Sequence, residues 1–270
     1  MTSIKLWLST IKSTFTNIPA LLVFAVLYAL LLVSAYFFIS TREATVWQVF
    51  VTYALMIVLP IEFSLFNASI VDRVQMQRFH WRAIMIDAVK FLIVTIPVLL
   101  IAWFFYYLVG KIAGRFPAPV VVPLPPAATA AKPQPIHLPT LIFATLRFVL
   151  LGIVAPLALI HLWITVSGSG IHVKRIGSAL ARAFAFESVL IYGLGLIIFL
   201  VLPYAVLFVP FSPKGNKADF AVFILRLFLT FWSSFIGWVV TISALTRNAV
   251  ERSPAPLANR SAAVAAEAAA

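Results

Sequence analysis

Long apolar runs separated by short basic segments set the pattern of this chain. A hydrocarbon core about 30 Å thick takes about 20 helical residues to cross. Six runs have that length and carry at most an isolated charge: roughly Pro19–Ser40, Thr45–Ser69, Phe91–Gly110, Pro139–Val166, Ser188–Pro210 and Asp219–Leu245. Segments of about ten residues with alternating polarity, the mark of a membrane β-barrel, are absent. The pattern predicts an all-α polytopic membrane bundle of six transmembrane helices.

A second pattern precedes the odd-numbered spans. Ile4, Trp7, Leu8, Ile11 and Phe15 share one helical face, with Lys5, Ser9, Lys12, Ser13 and Thr16 opposite. This spacing predicts an interfacial amphipathic helix over 1–18. Trp81, Ile84, Met85 and Ala88, flanked by Arg78, Arg82, Asp87 and Lys90, repeat the stripe before the third span. Ile176, Ala179, Leu180, Ala183 and Phe184, beside Lys174, Arg175 and Arg182, repeat it before the fifth.

The chain therefore reads as three parallel two-span units, each a basic amphipathic helix, an outward span and an inward span. Leu146-Arg147 in the fourth span and Leu225-Arg226 in the sixth lie at matching places, and Pro60 and Pro156 interrupt the second and fourth. The alternative is that loop charge alternates in any helical protein with an even number of spans.

Charge adds the orientation, because basic residues are retained on the cytoplasmic side. With the N-terminus inside, the inner segments hold twelve Lys and Arg, among them Arg73, Arg78, Lys174, Arg175 and Arg247, against six in the outer loops. The expectation is a multi-pass protein with both termini cytoplasmic. The first span follows a basic segment without a short apolar core and cleavage site, so it reads as a retained signal anchor. The formal charge of +12 is then a topology signal and an attraction to anionic lipid headgroups. The basic residues are scattered among spans, which argues against nucleic-acid binding.

Composition agrees: 63% of the residues are hydrophobic and 10% charged, where soluble domains carry about 25%. The membrane domain is expected over 19–250. It contains a Pro-rich outer loop, 117–139, which reads as extended polyproline II and serves either as a spacer or as a reach across the outer surface. The tail, 251–270, is Ala- and Pro-rich and expected to be disordered or weakly helical.

Candidate chemistry is sparse. Cys is absent and Asp plus Glu total eight. No phosphate-binding Gly-rich loop or paired-His metal motif occurs. No cofactor or metal is expected, and no enzymatic activity. Ser167-Gly168-Ser169-Gly170 faintly resembles the nucleophile region of rhomboid-like intramembrane proteases, but no later span supplies a His base, so the segment reads as a link out of the fourth span. Gly110 and Gly114 match a helix-packing spacing at a span end.

Four ionisable residues inside spans stand as candidate ligand-binding groups, since such groups are costly there. Glu62 lies about 7 Å, and His161 about 12 Å, from mid-span toward the inner side, so they could meet at one depth. They read either as a satisfied buried pair or as a proton or ligand relay. Arg147 and Arg226 each lie about 9 Å toward the outside. They read either as snorkelling to outer headgroups or as converging on one anion, with Phe143, Phe148, Phe223 and Phe228 keeping the site dry.

With its repeated helix-then-span layout at Trp7–Asn17, Trp81–Lys90 and Ile176–Glu187, the chain resembles six-span bacterial inner-membrane proteins related to the membrane domain of glycerophosphoryl diester phosphodiesterases. The resemblance implies a bacterial cytoplasmic membrane and an all-helical bundle. The Pro-rich outer loop departs from that layout, and phosphodiesterase activity does not carry over. The function expected is a non-enzymatic membrane component that binds or organises lipids, anionic ones included, or partner proteins. The rival is a small secondary transporter for an anionic or amphiphilic solute.

Overall fold

The computed structural model describes residues 3–42, 45–116, 137–209 and 216–252. Much of the Pro-rich loop, residues 117–136, and the tail from 253 lie outside the described residues. All regular structure among the described residues is helical, and six helical stretches are long and apolar enough to cross a membrane.

Helix α1 (Ser3–Thr16) leads through Asn17 into α2 (Ile18–Ser40). The Asn17 Oδ1 accepts from the Ala20 N–H and Pro19 occupies the first turn, the chemistry that starts a helix cleanly. Thr45 and Gln48 form a reciprocal capping box that starts α3 (Val46–Met76). Helix α4 covers Trp81–Ala113. The stripe before the third span is thus no separate interfacial helix. It forms the first turns of α4, because nothing between Trp81 and Phe91 breaks a helix.

The fourth span joins α5 (Leu138–Phe148) to α6 (Ala155–Ser169) through a π-helical segment, Val149–Val154. Helix α7 (Val173–Ala183) is the separate amphipathic helix expected before the fifth span. That span joins α8 (Phe186–Leu196) to α9 (Leu202–Phe208) through a second π segment, Ile197–Val201. Helix α10 (Asn216–Arg252) is the sixth.

Both π segments run into a proline, whereas Pro60 and Pro97 lie inside the continuous helices α3 and α4. Pro156 and Pro203 lack an N–H, so the carbonyls of Gly152 and Phe199, four residues earlier, lose their α-helical donors. The preceding N–H groups shift by one residue, Ala155 to Leu150 O and Leu202 to Ile197 O. The freed carbonyls are then met from other helices. The Tyr192 hydroxyl donates to Gly152 O at 2.7 Å, and the Ser234 hydroxyl to Phe199 O at 3.3 Å. In lipid no water could do this, so each proline commits a polar group on a neighbour.

The second spans of the three units form the centre: α3, α6 and α10 pack on one another. Phe66 and Ile70 of α3, Ile160 and Trp163 of α6, and Phe235 and Val239 of α10 belong to one buried cluster. The first spans flank them, α2 on α3, α4 on α6, and α8 and α9 on α10. Each second span also touches the first span of the next unit, α3 with α4, α6 with α8, and α10 with α2. The amphipathic helices follow the same rule, α7 lying on α6 and α1 on α10. This cyclic neighbour order fits the three-unit reading better than alternating loop charge does.

Close approach of the fifth span to α10 depends on two glycines. A side chain at Gly237 would begin 2.8 Å from the Phe199 backbone N, and one at Gly195 would lie 2.9 Å from the Thr241 Cβ. Small residues are what let membrane helices approach this closely.

Candidate functional site

Each expected site residue has a definite place. The Ser34 hydroxyl of α2 donates to Glu62 Oε1 at 3.0 Å, while among the described residues Oε2 is buried without a partner. His161 is 3% exposed and its Nε2 also lacks a partner. Glu62 and His161 are therefore not bonded to each other. Arg147 is half-buried, with its guanidinium 5.0 Å from the Tyr106 ring centroid. Its Nη2 sits 3.2 Å from where a side chain at Gly110 would begin, so Gly110 gives the arginine room and is not a helix–helix contact. Arg226 donates to Val209 O at 2.7 Å and to Leu207 O at 3.4 Å, covering the carbonyl end of α9.

These contacts of the two arginines fall in different places, yet they follow one rule. Each reaches from the second span of its unit to the last turns of the first span of the same unit. Both contacts can hold a hairpin together.

The opposite end of the bundle, called here the terminal end, carries the polar groups that sequence reading undervalued. It is where α1 meets the last turns of α10, with Arg247 Nη2 donating to Ser13 Oγ at 2.6 Å. Asp72 and Asp87 are 0% and 1% exposed. Asp72 accepts from the His80 backbone N–H at 3.3 Å and closes the turn between α3 and α4. Asp87 accepts from Ser167 Oγ at 2.7 Å and from Lys90 Nζ at 2.9 Å. Ser167 is also 3.2 Å from Gln75 Oε1. Ser167 is helical, and it ties α6 to α4 and α3. It is not part of a link out of the span. A charged pair this satisfied is a fastening of the fold.

At the same end is a partly open cavity of about 50 Å³ lined by residues of α1, α2, α3 and α10. Arg73 and Arg247 both line it, together with Ser13, Asn17, Gln77 and Ser243, and among the described residues no Asp or Glu does. Arg73 also stands 5.7 Å from the Phe79 ring centroid. In the sequence both arginines register only as topology charges. A usable signal was their place in the last turns of second spans, Arg73 in α3 and Arg247 in α10.

No family model, curated protein or solved structure matches this chain. What the site does has to be argued from its own chemistry. Among the described residues no cluster of three or more His, Asp or Glu is suited to a metal ion. The arrangement can hold an anion between two guanidinium groups at a membrane interface.

Proposed function

We propose that this integral membrane protein is a non-enzymatic component that binds membrane lipid, anionic lipid included, at its terminal end. The observation that carries the reading is the three-sided build of α1. Leu6, Trp7 and Thr10 are buried against the bundle. Ile4, Leu8 and Phe15 stay exposed along one side, and Lys5 and Lys12 along another. A helix held by the bundle that still offers an apolar stripe and a basic edge suits the boundary between acyl chains and anionic headgroups. The expected faces of α1 change accordingly: Trp7 leaves the lipid stripe for the bundle, and Ser13 meets Arg247. The α7 helix offers Lys174, Arg175 and Ser178 outward while Ala179 and Ala183 are buried, which extends the basic surface.

The same reading puts the protein in the cytoplasmic membrane of a bacterium with the terminal end inside, supported by the twelve-to-six distribution of basic residues. Spin-labelled phosphatidylglycerol and phosphatidylcholine, compared in reconstituted membranes, test it. A larger motionally restricted fraction for phosphatidylglycerol is expected; equal fractions would overturn it.

A second reading, a small transporter of an anionic or amphiphilic solute, is favoured by one observation. Glu62 Oε2 and His161 Nε2 are buried polar atoms without partners, a rare condition that calls for a reason. Substrate-dependent proton flux in vesicles, lost in Glu62→Gln, would establish it in place of the lipid-binding reading. No flux across a broad solute panel would remove it.

A further inference from the structure

We infer that the cavity between α1, α2, α3 and α10 is a phosphate-binding site for the headgroup of an anionic phospholipid. The inference rests on the lipid-binding reading above and assigns it a location and a ligand chemistry.

Three observations converge there. First, two arginines line one small cavity that has no carboxylate in its wall among the described residues. Bringing two cations together in partly desolvated surroundings is unfavourable unless an anion lies between them. Glu251, whose charge reaches Arg247, is exposed, one turn further along α10, and does not line the cavity.

Second, the arginines keep donors in hand. Among the described residues Arg247 gives one side-chain hydrogen bond, to Ser13, which fixes its head against α1. Among the described residues Arg73 has only its ring contact with Phe79, which orients the guanidinium without using its N–H groups in hydrogen bonds. Asn17 uses its Oδ1 to cap α2, so its amide N–H₂ is the part left to donate. Arginine forks match phosphate oxygens in pairs, and charge-assisted bonds of this kind are about twice as strong as neutral ones.

Third, size and surroundings suit a headgroup. A water needs about 10–15 Å³ of such space, so about 50 Å³ admits a group of a few heavy atoms. The remaining wall includes Ala20, Leu21 and Phe24 of α2. From the same turns an exposed ridge of Ile18, Leu22, Val26 and Leu30 runs along α2. A phosphodiester seated on the arginines could lay its acyl chains along that ridge, which a free phosphate could not exploit.

Native mass spectrometry of the detergent-purified chain tests the assignment, with dioleoyl-phosphatidylglycerol, dioleoyl-phosphatidylcholine and inorganic phosphate as probes. The wild type is expected to retain phosphatidylglycerol about tenfold more than phosphatidylcholine, since both carry the phosphodiester but the choline ammonium would set a third cation beside the two arginines. Arg73→Gln and the double variant Arg73→Gln/Arg247→Gln should bring that preference close to one, while Arg78→Gln, an exposed change at the same end, should not. If the double variant does not fold, Arg73→Gln decides alone, because its guanidinium makes no hydrogen bond that the fold needs. An undiminished preference in Arg73→Gln overturns the site. Overall selectivity for spin-labelled anionic lipid that persists in these variants overturns the location and leaves the general reading standing. Millimolar inorganic phosphate that displaces phosphatidylglycerol, and alone stabilises the wild type but not the variants, keeps the anion site and overturns the lipid as its ligand.

Discussion

Replacing Tyr192 by Phe removes one hydroxyl and nothing else, and the structure says what that hydroxyl is for. It donates to Gly152 O at 2.7 Å, the carbonyl that Pro156 deprives of its helical donor. Tyr192 is 2% exposed, so no water replaces it. Interhelical hydrogen bonds in membranes average about 0.6 kcal/mol and reach about 1.7, because broken partners usually find others. Gly152 O has no ready alternative, which places Tyr192→Phe in the upper part of that range, about 1–1.7 kcal/mol.

The decisive test is a double-mutant cycle with Pro156→Ala, which returns an N–H to donate to Gly152 O. In that background Tyr192→Phe should cost less than about 0.5 kcal/mol, a coupling of about 1 kcal/mol. Reversible unfolding in mixed micelles, followed by the helical signal, would measure all four proteins. The same cost in both backgrounds would refute the claim that the hydroxyl serves the proline.

Gly237→Ala puts a Cβ 2.8 Å from the Phe199 backbone N and should destabilise by about 1–3 kcal/mol through overpacking, measured in the same micelles. Asp87→Ala strands Ser167 and Lys90 and should cost about 3 kcal/mol, whereas Ser167→Ala should cost about 1 kcal/mol; a smaller loss for Asp87→Ala than for Ser167→Ala would refute the fastening. The chain has no Cys, so Ser40→Cys and Ser178→Cys report topology cleanly. An impermeant thiol reagent on intact cells should label Ser40→Cys and reach Ser178→Cys only after lysis.

What the sequence made legible was set by the membrane. A span needs about 20 apolar residues whatever it packs against, so six runs could be read without knowing their neighbours, and the stripe at Ile176 to Ala183 marked α7 as a separate helix. The stripe at Trp81 to Ala88 did not show whether its helix ends before the third span, because no Gly or Pro separates it from Phe91. The candidate site was harder still. Intramembrane charge drew attention to Arg147 and Arg226, but an arginine that covers the end of α9 and one that binds a ligand look alike along the chain. Arg73 and Arg247 stand 174 positions apart, and only the packing of α3 against α10 brings them to one cavity. Asp87 read only as a polar flank of the Trp81 stripe and Asp72 carried no signal, since burial at a span end depends on the neighbouring helix and not on local hydropathy.

The account stands on selective contact with anionic lipid at the terminal end, and tryptophan quenching by lipids with brominated acyl chains measures that contact. Trp81, 51% exposed in the first turn of α4, reports from that end. In vesicles of otherwise equal composition, brominated phosphatidylglycerol should quench the wild type more than brominated phosphatidylcholine does. The difference should shrink in Trp81→Phe and weaken at high salt, because surface charges are screened within about 8 Å at physiological ionic strength. Equal quenching by the two lipids at low salt would contradict it.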